Sequence, residues 1–171
     1  MNFWFKIVIG AAVLIAISKL FSKKKKVKSY TIEEAFKKIL DEYGEHTAKT
    51  VERMFRKETN HFKSIGYKLT AGAGMEAVSK KFPYGWTSMR NIWLTNPDIM
   101  PIGLKHMTDS GGRSVDFIVF PNLYAGLKTM AEFLRSGRTA GSWYSRKPDA
   151  AAKYEADLLK IVPRYINKLT Q

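Results

Sequence analysis

Apolar side chains recur at helical spacing from residue 31 to residue 62, with one interruption. Ile32, Ala35, Phe36, Ile39, Leu40 and Tyr43 fall three and four residues apart, which predicts a helix that Gly44 ends. In front of it, Thr31-Ile-Glu-Glu34 reads as a capping box, in which a hydroxyl and a carboxylate each satisfy a free amide. A second helix is expected over about residues 47–62, with Val51, Met54, Phe55 and Phe62 on its apolar face. A Gly-rich turn at 70–74, a short helix from Met75, a loop at 83–86 and a short helix over 88–94 follow. Two alternating runs, 104–108 and 115–120, then flank Asp109-Ser-Gly-Gly-Arg113 and predict a β-hairpin. Pro121-Asn122 opens a helix that carries Tyr124, Leu127, Met130, Ala131 and Leu134 and closes at Gly137. A last helical stretch from about Pro148 bears Tyr154, Leu158, Ile161 and Tyr165, and Pro163 bends or splits it. The expected fold class is mainly α (α+β): a helical domain with one small β-hairpin.

One residue breaks the pattern. Steps of four, three and four residues from Val51 pass through Phe55, Glu58 and Phe62, so Glu58 falls inside the apolar stripe. Glu52 and Asn60 fall on its flank and far side. Burial penalises a charged carboxyl, so its pKa rises and it keeps its proton. A carboxyl protonated near neutral pH suits the general acid of a glycosidase. The same placement also suits an acid that pairs with a core cation or caps a neighbouring helix.

The N-terminus changes the picture of where the domain resides. Residues 3–21 are apolar apart from Lys6 and Lys19, with an uninterrupted core over 7–17. Terminal lysines can snorkel to an interface, and Trp4 stands where an interfacial aromatic belongs. No clean small-x-small cleavage site follows, so an uncleaved anchor is expected instead of a signal peptide. The implied organisation is a transmembrane anchor at 1–22, a basic linker at 23–30 and a catalytic domain at 31–171. The chain carries a net charge of +14, and seven lysines with no acid lie in residues 1–30, leaving +7 on the domain. Such a balance favours an anionic partner. The lysines at 23–26 predict a cytoplasmic side for the domain.

Several chemistries are excluded or disfavoured by composition. The chain has no cysteine, which removes thiolate metal sites, cysteine nucleophiles and a disulfide scaffold. His46, His61 and His106 share no metal-ligand spacing, and no metal or cofactor is expected. The glycines at 72 and 74 lack the Gly-Lys-Ser/Thr of a phosphate loop, and no serine occupies a nucleophile elbow.

Glu58-Thr-Asn-His-Phe62, followed by Ala71-Gly-Ala-Gly-Met-Glu76, resembles the lysozyme-like superfamily, in particular the lytic transglycosylases. In that family a helix ends in a catalytic glutamate followed by serine, and an Ala-Gly-x-x-Gly-Leu-Met-Gln turn follows. Here Gly74, Met75 and Glu76 stand at matching distances from Glu58, with Thr59 at the serine position and Glu76 at the glutamine. Residues 117–134 are similar to the strand-then-helix of phage muramidases and cell-wall glucosaminidases. The tail, with Trp143 and Tyr154, resembles their closing helix, although the Asn-Ala-Gly stretch that supplies a tyrosine in transglycosylases is not clean here.

The resemblance implies a membrane-anchored enzyme that cleaves the glycan strands of peptidoglycan, with Glu58 protonating the leaving oxygen. Two endings follow. A second carboxylate, with Glu76 and Asp116 as leading candidates beside Asp98 and Asp109, activates water. Alternatively Glu58 takes a proton from the sugar's own 6-hydroxyl and an anhydro product forms. Sugar rings stack on aromatic faces, and Tyr84 and Trp86 beside Gly85 are the first candidates, with Trp93, Trp143 and Tyr144 also available. Helical spacing explains Trp93 as core. The anchor points to a single-pass protein of a bacterial inner membrane or of a virion membrane, and a phage that delivers the enzyme on infection reconciles a cytoplasmic domain with an external wall. The lipid bilayer and peptidoglycan are then the partners. The rival reading is a non-enzymatic, membrane-tethered basic protein that binds nucleic acid, supported by the domain charge and pairs such as Lys80-Lys81.

Overall fold

A computed structural model describes residues 27–72, 74–109 and 111–171. The expected anchor and the lysines at 23–26 lie outside the described residues. Among the described residues no helix is long and apolar enough to cross a membrane. The architecture is helical with one small antiparallel sheet, as the apolar periodicity predicts.

Helix α1, Ile32–Glu58, begins with the expected capping box: Thr31 Oγ1 accepts from the Glu34 amide, and Glu34 Oε2 accepts from the Thr31 amide at 2.8 Å. It is broken at Gly44, whose φ of 75° and ψ of 169° are open to glycine and costly for other residues. The break that the sequence marks is therefore real, but helical geometry resumes at once instead of at residue 47. Beyond it lie α2 (Ile65–Thr70), a 3₁₀ turn (Thr87–Met89) and α3 (Arg90–Thr95). The hairpin of β1 (Gly103–Thr108) and β2 (Ser114–Val119) comes next, followed by α4 (Leu123–Arg135). Three helices complete the chain: α5 (Ala140–Tyr144), α6 (Pro148–Leu159) and α7 (Arg164–Leu169), with Pro163 separating the last two.

The core forms where α1 meets α4 and α7. Phe36, Ile39, Val51, Met54 and Phe55 are fully buried on α1, against Leu127, Met130 and Ile166. Each such side chain contributes roughly 1.5–3 kcal/mol on leaving water. Phe36 stacks on Tyr165 at 5.5 Å and meets Phe62 edge-on at 6.2 Å, so the end of α1 returns to its beginning.

The hairpin matches its expected place, with Thr108 opposite Ser114 and Asp109 holding the turn by accepting from the Gly111 and Arg113 amides. Residues 75–77 do not form the expected helix from Met75. They run alongside β2 instead: Ile118 donates to Met75 O at 2.9 Å, Ala77 donates to Asp116 O at 2.7 Å, and Glu76 bridges Phe117. The backbone there satisfies its donors against a strand edge, which a helix would leave open. Gly126 on α4 lets the glycine turn approach, because a Cβ there would lie 2.3 Å from Ala71 O. The glycine turn is thus clamped between β2 and α4.

Candidate active site

Glu58 is the last residue of α1, and its half-buried side chain follows the buried Val51 and Phe55 along the helix face. Burial raises its carboxyl above the ordinary value, while a hydrogen bond from Tyr154 and the charge of Lys57 pull in the opposite direction. The Tyr154 hydroxyl donates to Glu58 Oε1 at 2.6 Å. Tyr154 itself is 2% exposed on α6, and burial together with the Glu58 charge pushes its phenol far up. It remains a neutral donor.

Two further contacts fix that donor, one of them held in turn by an ion pair. Tyr144 stacks on Tyr154 with centroids 5.0 Å apart and planes 8° apart. Lys57 Nζ lies 5.3 Å from the Tyr154 centroid and pairs with Asp157 at 3.1 Å. Hydrogen bonds from Lys160 and Lys57 hold Asp157 down to about 2, so it stays ionised and keeps Lys57 in place. On the other side of the carboxyl, a Cβ on Gly74 would be 3.9 Å from Glu58 Oε2. The helix end, the glycine turn and α6 converge on one carboxyl.

Helix α1 stops at Glu58 and does not run to Phe62 as its apolar spacing suggests. The reason is Thr59. Its buried hydroxyl donates to Phe55 O at 2.6 Å and accepts from the Phe62 amide at 3.0 Å. Asn60, His61 and Phe62 then take left-handed φ values of 46°, 55° and 68° and reverse the chain. Thr59 thereby shapes the turn behind Glu58, and its hydroxyl is spent on backbone.

The acid that the stripe conceals is a different one. Glu52, expected on the flank, is 0% exposed. Its two oxygens accept from the Tyr165 amide at 3.1 Å and the Ile166 amide at 2.9 Å, with Arg56 Nη1 3.6 Å away. Glu52 caps α7, whose own N-cap is Pro163 with no side-chain cap. The structural role that Glu58 could have played belongs to Glu52.

Three of the four candidate second carboxylates are engaged elsewhere. Glu76 pairs with Arg113 at 2.7 Å and Asp116 with His106 at 2.8 Å. Asp109 is lowered first by the Arg113 amide that it accepts from. Asp98 lies exposed past α3. None of these carboxylates hydrogen-bonds to Glu58 or Tyr154 among the described residues.

A cleft of about 500 Å³ opens beside this constellation, lined by Trp86, Trp143, Tyr144, Arg138 and Arg146 among others. Trp86 is fixed by donating from Nε1 to Glu76 O at 2.9 Å, and its ring lies 5.4 Å from Trp143. Because Tyr144 both lines the cleft and stacks on Tyr154, the cleft wall stands one aromatic ring from the ring that holds Glu58. Of the other expected binding residues, Met75 is 3% exposed in the core and Tyr84 packs on Phe82 outside the cleft lining. Trp93 is core, as its spacing predicts. The bridging role of Tyr144 and the cleft arginines carry no sequence-local signal.

Among the described residues no group of three His, Asp or Glu side chains could hold a metal ion. No protein-family model, characterised protein or solved structure matches this chain.

Proposed function

We propose that this chain is a peptidoglycan glycosidase in which Glu58 is the general acid. The observation that carries the reading is the half-buried Glu58 carboxyl, raised by burial and held by the neutral Tyr154 hydroxyl at 2.6 Å. A raised carboxyl holds its proton to higher pH than a free one and can deliver it to a glycosidic oxygen as the bond breaks. The exposed Tyr144 ring and the partly buried Trp86, backed by Trp143, offer apolar surface to sugar rings, and Arg138 and Arg146 suit the acidic substituents of wall glycan.

The finer choice falls on the anhydro-forming route. Hydrolysis with inversion or retention needs a second carboxylate across the scissile bond. Glu76 and Asp116, the leading candidates, are each engaged on the hairpin side, Glu76 by the Arg113 guanidinium and Asp116 by the His106 imidazole. Glu58 then serves twice, first as acid to the leaving oxygen and then, ionised, as base to the sugar's 6-hydroxyl. Tyr154 supports the second role, since its hydrogen bond favours the ionised form.

The apolar segment at 3–21 and the lysines at 23–26 would hold the domain at a membrane, in a bacterium or a virion. Incubating the protein with purified peptidoglycan and weighing the soluble products tests the whole reading. Anhydro muropeptides are expected, hydrated ones would replace the route with hydrolysis, and an intact polymer would remove the activity.

A further inference from the structure

A second cavity, of about 430 Å³, is lined by Arg56, His61, Phe62, Lys63, Arg164 and Tyr165. Four of these six side chains are nitrogen bases, and no carboxylate is among the lining. Glu52 lies beneath Arg56, but both its oxygens are committed to the start of α7. Lys63 and Arg164 form no ion pair among the described residues, whereas all four lysines of α1 do. The left-handed run at 60–62 brings His61 and Lys63 round to face Arg164.

Arg56 is the built part of the site. It is only 8% exposed, donates from Nε to His61 Nδ1 at 3.1 Å and from Nη1 to Val162 O. Its Nη2 has no protein partner among the described residues, and no buried side-chain nitrogen there lacks one, so Nη2 reaches the solvent. A desolvated guanidinium with one free edge, ringed by two further cations and an imidazole, is what a multi-oxygen anion fits.

Position adds a second argument. Tyr165, which walls the cavity, stacks on Phe36, and Lys168 of the same helix pairs with Glu33 at 2.8 Å. The helix that walls the cavity therefore packs on the first two turns of α1, which the lysines at 23–26 precede in sequence. We propose that the Arg56, His61, Lys63 and Arg164 cavity is a binding site for a phosphate group, carried by a soluble anion or by a lipid headgroup. It is independent of the glycosidase reading, since none of its lining side chains hydrogen-bonds to Glu58 or Tyr154.

His61 reports on occupancy. Partial desolvation, then repulsion from Arg56, Lys63 and Arg164, lowers its pKa in the empty site, and a bound dianion offsets that repulsion. The full-length chain in a neutral detergent is titrated by NMR of its three imidazoles, in chloride and in phosphate of equal ionic strength. His61 should titrate at higher pH in phosphate, with His46 and His106 unmoved. Lys63→Gln and Arg164→Gln should each weaken phosphate binding about tenfold. The double variant Lys80→Gln, Lys81→Gln removes two charges elsewhere and should bind as the parent does. Repeating the titration in phosphatidylglycerol and phosphatidylcholine bicelles without free phosphate separates the sources. A His61 rise in the phosphatidylglycerol bicelles alone assigns the lipid headgroup, and a rise with free phosphate alone assigns the soluble anion. An imidazole that titrates alike in all four media overturns the proposal, as does an equal loss of binding in the Lys80, Lys81 variant.

Discussion

The Tyr154 hydroxyl donates a hydrogen bond to Glu58 across 96 residues of sequence, at 2.6 Å, from α6 to the last residue of α1. Burial and that bond pull the carboxyl in opposite directions. Burial favours the neutral acid, and the phenol favours the carboxylate. A group that must both give and receive a proton in one turnover benefits from such a balance.

Glu58→Gln keeps the shape of the side chain and removes the transferable proton. Glycan release should fall about 100- to 10,000-fold, the usual span for losing a general acid. Stability should not fall with it. The folded carboxyl titrates above its ordinary 4.5, so the parent loses stability as pH rises from there through the folded value, and the amide does not. Thermal unfolding across that window should show a flatter pH dependence in the variant. Near-parental turnover would take Glu58 out of the mechanism.

Glu52 makes the opposite prediction. Glu52→Ala strips both acceptors from the Tyr165 and Ile166 amides and leaves Arg56 without its buried counter-charge. The loss should be about 3 kcal/mol in denaturant unfolding. A cost below roughly 1 kcal/mol would mean that water replaces the cap.

The contrast between these two glutamates shows what the sequence makes legible. Helical spacing places Glu58 within the apolar stripe, and the capping box, the break at Gly44, the hairpin turn and the split at Pro163 are all written in local residue types. Glu52 was invisible because its partners lie 113 and 114 residues away, on a helix whose Pro163 gives no cap of its own. The segment from Met75 was misleading for a related reason. Its residues tolerate a helix, but β2 offers Met75 O and the Ala77 amide partners that no local pattern reveals. Tyr154 and Tyr144 likewise needed the packing of α5 on α6 to meet. Short-range periodicity encodes faces, and long-range pairing decides which face carries chemistry.

Glu76→Gln separates the two routes of bond cleavage. The side chain is 41% exposed and pairs with Arg113, so stability should change by less than about 1 kcal/mol. Anhydro-product formation should continue within about threefold of the parent, since the change is well under one general-catalytic contribution. A collapse of rate, with hydrated products in the parent, would assign Glu76 as the base of a hydrolase.

Tyr154→Phe removes one hydroxyl and leaves the stack on Tyr144 and the Lys57 contact in place. Without that donor, burial acts on Glu58 opposed only by Lys57, so its pKa moves further above the ordinary value. Two consequences follow from the sign. If Glu58 enters the reaction protonated, activity falls as pH rises through its pKa, and the variant's alkaline limb moves to higher pH. Folding stability should match the parent in acid, where both carboxyls are neutral, and drop below it as pH rises, because the ionised form has lost a buried donor. The gap at high pH should reach about 1–3 kcal/mol, the usual cost of a lost hydrogen bond to a charged group. Rate profiles of anhydro-product release and urea unfolding at several pH values measure both. An alkaline limb that stays put while stability falls would leave Tyr154 as packing and detach it from the proton of Glu58.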